Sequence, residues 1–262
     1  MIRALYTAAS GMSAQQMNLD TIANNLANSS TTGFLQLRLQ FQDMVYQNLV
    51  TPGAAQSQST VSAGLQIGLG TKSAATEVIN TQGSLNETDN PLDVAIEGQG
   101  FFQVQRPDGT IAYTRAGQFH LDSQGTIVTT DGDPIIPTIT IPANATAVTI
   151  TKYGMVNATL PGQQNPSQLG QIQLVTFPNS GGLEQMGSNL LQATLSSGDP
   201  VQGNPGGTEG LGMLEQKYLE NSNVDVVTMF VQMVLAQRAY ESNSKVIKAA
   251  DDMYSQVNNM AH

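Results

Sequence analysis

Few residues in this chain have the types and spacing that chemistry needs. Asp93 and Glu97 stand four apart in an alternating segment. A glycosidase uses such a carboxylate pair, one to protonate the leaving oxygen and the other to activate water. Gly98–Gln99–Gly100 follows directly, and closely spaced glycines let a backbone approach a phosphate. His120, beside Phe119 and near Asp122, has the side chain suited to moving protons near neutral pH. Asp131-x-Asp133 begins like a calcium loop. Each set is incomplete. The glycine pair falls between two predicted strands, with no helix N-terminus to hold a phosphate. His120 has no serine elbow beside it. The two aspartates lack the further ligands at calcium-loop spacing, and His262 is the last residue of the chain. The expectation is that the protein is no enzyme and has no catalytic, cofactor-binding or metal site. A secreted carbohydrate-binding or cell-wall hydrolase domain built on Asp93 and Glu97 is the alternative of a different class.

Composition narrows the classes further. Charged residues make up 11% of the 262, against about 25% in ordinary globular chains. In their place stand 27 Gln, 19 Asn, 19 Ser and 25 Thr. A formal net charge of −10 with only 10 Lys+Arg leaves no basic stripe for phosphates, so no nucleic-acid partner is expected. The absence of cysteine removes disulfides and thiol chemistry. No run of about 18 apolar residues occurs, so no membrane insertion is expected. Polar residues recur from Thr7 onward, which is not the pattern of a cleavable signal peptide.

The elements that would position any site begin with two helices. Leu5, Met12, Leu19 and Leu26 repeat every seven residues, with Ala8, Gln15 and Ile22 three later, the spacing of a coiled-coil seam. This helix should stop near Asn28–Ser29–Ser30, with Thr31–Thr32–Gly33 as the turn. The far end repeats the pattern more strongly. Val226, Met233, Tyr240, Ile247 and Tyr254 are followed at three by Met229, Ala236, Asn243, Ala250 and Val257. Ser222 and Asp225 resemble a capping box, and a helix over 223–260 would span roughly 57 Å. Asn243 in the seam would set register. Phe230, Val246, Met253 and Met260 fall outside the seam as further apolar edges.

Between them the period switches to two. Leu92, Val94 and Ile96 alternate, and Asp108–Gly109 separates Phe101–Phe102–Gln103–Val104 from Ile111–Ala112–Tyr113–Thr114, a hairpin signal. The fold class expected is α+β. Terminal helices (1–34 with 222–262) pair as a coiled coil around an inserted antiparallel β domain (85–197). Extended connectors (35–84 and 198–221) join them. A loop as long as 46–83 would be unusual in a compact domain. The alternation in Val61 and Gly64–Leu65–Gln66–Ile67 predicts that it is partly extended and paired.

Three segments carry a resemblance. Ala9–Ser10–Gly11–Met12, Asn24–Asn25–Leu26–Ala27–Asn28 and Thr31–Thr32–Gly33–Phe34 resemble the N-terminal signature of bacterial flagellar rod and hook proteins. Asn221–Ser222–Asn223–Val224–Asp225 and Gln237–Arg238–Ala239–Tyr240–Glu241–Ser242–Asn243–Ser244–Lys245 resemble their C-terminal one. Leu92–Asp93–Val94–Ala95–Ile96–Glu97–Gly98–Gln99–Gly100–Phe101–Phe102 is similar to the opening of their β domain. Phe41 to Gln47, running on to Gly70, resembles an insertion of the distal rod branch. Its marker residues here are Tyr46, Pro52, Gly53, Leu65, Ile67 and Gly70. Leu35 stands where a lysine is common in the family, and Tyr153 where Asp is usual before glycine.

The resemblance implies a structural subunit of a helical homopolymer. Its seam would be Leu5, Met12, Leu19, Ile22, Leu26, Val226, Met229, Met233, Tyr240, Asn243, Ile247, Tyr254 and Val257. The insertion would stiffen the tube. The implied partners are proximal rod and hook axial proteins, the surrounding ring bushing, the rod cap and the flagellar export apparatus. The implied location is the basal body, as a rod in the periplasm, reached without a cleaved signal. A proximal rod protein or other rod–hook paralogue is the alternative within the family.

Overall fold

In this computed structural model the described residues are 2–50, 55–56, 59–60, 64–162, 165–207 and 210–260. The chain is α+β, with a helix near each end and antiparallel strands between. It divides into two units. One comprises Met1–Leu26, Leu37–Glu77 and Val226–His262, the other Ala27–Gln36 and Val78–Asp225.

The second unit, here the β unit, is built on a seven-stranded sheet whose central strand is Phe101–Gln105. That strand pairs with Ile111–Thr114 in the register Ala112↔Val104, across the Asp108–Gly109 turn. The Asp108 carboxylate accepts from the Thr110 amide at 2.9 Å, which fixes the turn. Phe101 to Val104 are all buried, because both faces of the strand are covered. Phe102 meets Phe119 edge to face at 5.1 Å inside a core that includes Val94, Ile96, Ile127, Leu174 and Leu214. Residues 198–221, expected as connector, hold three short strands. Val201–Gly203 extends the large sheet, Met213–Gln216 pairs with Val94–Glu97, and Tyr218–Glu220 with Leu85–Glu87.

The other unit holds helix α1 (Ile2–Ala27), helix α2 (Val226–Met260) and the 37–77 segment. Helix α2 begins after Asp225, and the Val224 amide donates to the Ser222 hydroxyl at 3.3 Å. Segment 37–77 is no structureless connector. Leu37–Asp43 pairs with Thr71–Val78, Tyr46–Val50 with Leu65–Gly68, and Ala55–Gln56 with Ser59–Thr60. The first two pairs form a two-stranded ribbon bridged by Met44 N–H to the Gly70 carbonyl at 2.8 Å, and the third is nested between them in the sequence. The whole of Tyr46–Val50 and Leu65–Gly68 is exposed.

Candidate assembly surface

The pairs that could have done chemistry are committed elsewhere. Asp93 is buried, and its carboxylate accepts from the Thr88 hydroxyl and the Asn90 amide, each at 2.8 Å. Glu97 is exposed. One carboxylate is saturated within its own turn, so the two form no acid–base couple. The Gly98 and Gly100 carbonyls accept from the Arg115 guanidinium at 3.0 Å, and the Gly98 amide donates to the Gln82 side-chain oxygen at 3.0 Å. His120 is exposed on a short strand opposite Val128. Asp133 is buried and Asp131 exposed, and no acidic or histidine cluster able to hold a metal occurs among the described residues.

The seam residues line up differently on the two helices. On α1, Ile22 is buried and Leu5, Met12, Leu19 and Leu26 are half-buried. A Cβ on Gly11 would stand 2.8 Å from the Asn243 amide nitrogen, and Gln15 and Asn18 share a cavity of about 360 Å³ with Gln232, Leu235, Ala236 and Ala239. Gly11, Gln15 and Asn18 thus lie beside α2, and of these Gln15 falls at the second position of the heptad count. On α2, Met229 is buried, and Met233, Asn243, Ile247 and Tyr254 are half-buried. Val226 and Tyr240 are exposed, and the Val257 side chain lies outside the described residues.

Large apolar side chains then stand in solvent. Val227, Phe230, Val231, Val234 and Leu235 form a row along the first turns of α2, with Val227 72% exposed. Phe230, Val246, Met253 and Met260 are all exposed. Phe41, Val45, Tyr46, Leu49, Leu65 and Ile67 add a second exposed set along the ribbon. Gly70, with φ +118°, sits against the Ser10 hydroxyl of α1, and Pro52 and Gly53 lie outside the described residues. At the base of the ribbon, Arg38 donates to Glu77 at 2.7 Å and Gln40 donates to the same oxygen. These bonds hold the Glu77 carboxyl below its ordinary value. Runs of exposed apolar side chains of this kind mark interaction surfaces. Heptad counting missed the Val227–Leu235 row, whose signal was a run in which almost every position is apolar.

No helix is long and apolar enough to cross a membrane among the described residues. Three family models match the chain in order. They are a flagella basal body rod protein model over residues 5–34, the flagellar hook protein FlgE/F/G D1 domain over 95–158, and the flagellar basal body rod FlgEFG protein C-terminal model over 215–260. Relatives align end to end. A flagellar basal-body rod protein FlgG from Caulobacter vibrioides is 49% identical across 96% of this chain and 97% of its own length. One from Buchnera aphidicola of Acyrthosiphon pisum is 47% identical across 99% and 100%. One from Bacillus subtilis is 40% identical across 99% of both.

Proposed function

This chain belongs to the flagellar basal-body rod protein family, and from that premise we propose how its two units divide the work of a rod subunit. It is a structural subunit of the distal rod and not an enzyme. In the proposed assembly α1 and α2 act as a coiled coil that lines a helical tube of identical copies. The seam running from Leu5 to Leu26 and from Val226 to Val257 is shared between a subunit and its neighbours. A head-to-tail contact that does not close generates such a filament. The 46–70 ribbon lies against other subunits and stiffens the tube, which carries torque toward the hook. Its ends meet proximal rod and hook axial proteins. The rod cap and ring bushing act on it in the periplasm, and the export apparatus delivers it without a cleaved signal.

The observation that carries this reading is the Val227–Leu235 row together with the ribbon. A two-stranded ribbon has little independent stability, and apolar residues left on both its faces gain burial when copies pack. The test is Phe230→Asp with Val231→Asp in the full chain. The expected result is exported, β-folded protein with no rods and no motility; normal rods overturn the reading. Deleting residues 47–67 tests the ribbon separately: rods that bend more are expected, and unchanged stiffness by electron microscopy removes the ribbon's role.

A further inference from the structure

Every passage of the chain into or out of the β unit runs through three short segments: residues 27–36, those just after 77, and those ending at 225. Two side chains tie all three together. The Asn223 amide donates to the Ile79 carbonyl at 2.8 Å and the Thr81 carbonyl at 2.9 Å, while its oxygen accepts from the Gln36 N–H at 2.7 Å. Glu220 supplies its main-chain carbonyl to the Gly33 N–H at 2.8 Å and its carboxylate to the Gly83 N–H at 2.9 Å. The second carboxylate oxygen takes the Arg115 Nε–H at 2.7 Å. Arg115 spends its remaining donors on the carbonyls of Ile96, Gly98 and Gly100.

Both charges are buried, at 3% and 1% side-chain exposure. Burying an ion pair costs desolvation that attraction offsets only when every remaining lone pair and proton is bonded. Here that condition is met. The chain also approaches too closely for side chains at two points. Gly33, with φ +69°, lies against the Arg115–Ala116 backbone, and a Cβ on Gly83 would collide with the Asn221 carbonyl.

We propose that Arg115, Glu220 and Asn223 form a clamp that holds the chain ends of the β unit at fixed spacing within that unit. The clamp is a property of the free subunit, so its test does not depend on the rod reading. Amide hydrogen exchange is measured on the full chain carrying Glu220→Gln or Asn223→Ala. Protection of the Gly33, Gln36, Ile79 and Gly83 amides is expected to fall by about 100-fold or more, with Val104 and Ala112 in the central sheet nearly unchanged. A third variant, Arg115→Met with Glu220→Leu, removes both charges without stranding one. It is expected to melt near the wild-type temperature yet exchange faster at Gly83. Gly33, Gln36, Ile79 and Gly83 amides that keep their protection overturn the clamp, as does protection lost equally throughout the β unit. Retained protection of Gly83 in the third variant overturns it as well.

Discussion

The two units solve the problem of a stable surface in opposite ways. The helical unit carries six acidic residues (Asp20, Asp43, Glu77, Glu241, Asp251, Asp252) and six basic ones (Arg3, Arg38, Lys72, Arg238, Lys245, Lys248). Its net charge is zero, so the whole formal charge of −10 belongs to the β unit. Exposure divides along the same line. The helical unit contributes most of the exposed large apolar side chains, while the β unit contributes only a scattered few such as Leu121 and Tyr153. A surface of high like charge keeps copies apart, and a neutral apolar one lets them close-pack. The difference teaches that low charge is common to both units, and that what differs is its balance, zero in one and −10 in the other. In the proposed assembly, the neutral unit with its exposed apolar side chains is the one whose burial other copies complete.

One residue type in the two settings gives the largest contrast. Phe102 is 1% exposed and meets Phe119 edge to face; Phe230 is 51% exposed on α2. Phe102→Ala is expected to destabilise the free chain by about 3–5 kcal/mol, the usual cost of emptying a core site. Phe230→Ala should shift free-chain stability by less than about 0.5 kcal/mol, as surface changes do, while lowering the yield of rods. Chemical denaturation of the monomer beside an assembly assay measures both. A cost of several kcal/mol for Phe230→Ala in the monomer would mean that the apolar row is covered within the chain, and the contrast would fail.

A smaller effect separates the units by cooperativity. Asn25 is buried at the end of α1, and its amide donates to the Leu37 carbonyl at 2.7 Å while its oxygen accepts from the Leu37 N–H at 2.9 Å. The side chain thereby replaces a strand for one residue. Asn25→Ala strands both main-chain groups and is expected to cost about 1–3 kcal/mol, less what alanine returns in helix propensity. The loss should appear as faster exchange at Leu37 with an unchanged melting transition of the β unit. An equal drop in that transition would show that the two units unfold as one.

Asn25 also explains what was legible in the sequence. Heptads located both helices, and Asp108–Gly109 located its hairpin, because those signals are local. The use made of the amides is not local. Gln216 caps the edge of the Ala147–Ile150 strand, donating to the Val148 carbonyl and accepting from the Ile150 N–H. Gln82 does the same for Ile96 and Gly98. An abundance of Gln and Asn looked like an absence of charge, and its structural use depends on partners up to 187 residues away, as for Asn223 and Gln36. The Arg115–Glu220 pair, 105 residues apart, left no trace at either position. The ribbon was half legible: its strands expose both faces, so no alternation of buried and exposed positions singles out a face.

The smallest expected effect lies at the base of the ribbon. Glu77 is solvent-exposed, and hydrogen bonds first from Arg38 and then from Gln40 lower its pKa. A depressed folded-state value means that the ionised form is favoured by folding. Its contribution is therefore present above the ordinary glutamate range and lost as pH falls through the depressed value. Screening by solvent keeps such an exposed pair weak. Acidification below about pH 4 should loosen the Leu37–Asp43 and Thr71–Val78 pairing before the β unit melts. The carboxyl titration of Glu77, followed by NMR in the wild type and in Arg38→Gln, measures this directly. The midpoint should rise toward the ordinary value in the variant, and salt should narrow the difference. An identical midpoint in both proteins would show that Arg38 does not hold the ribbon base, leaving the neutral unit without the one exposed ion pair found among its described residues.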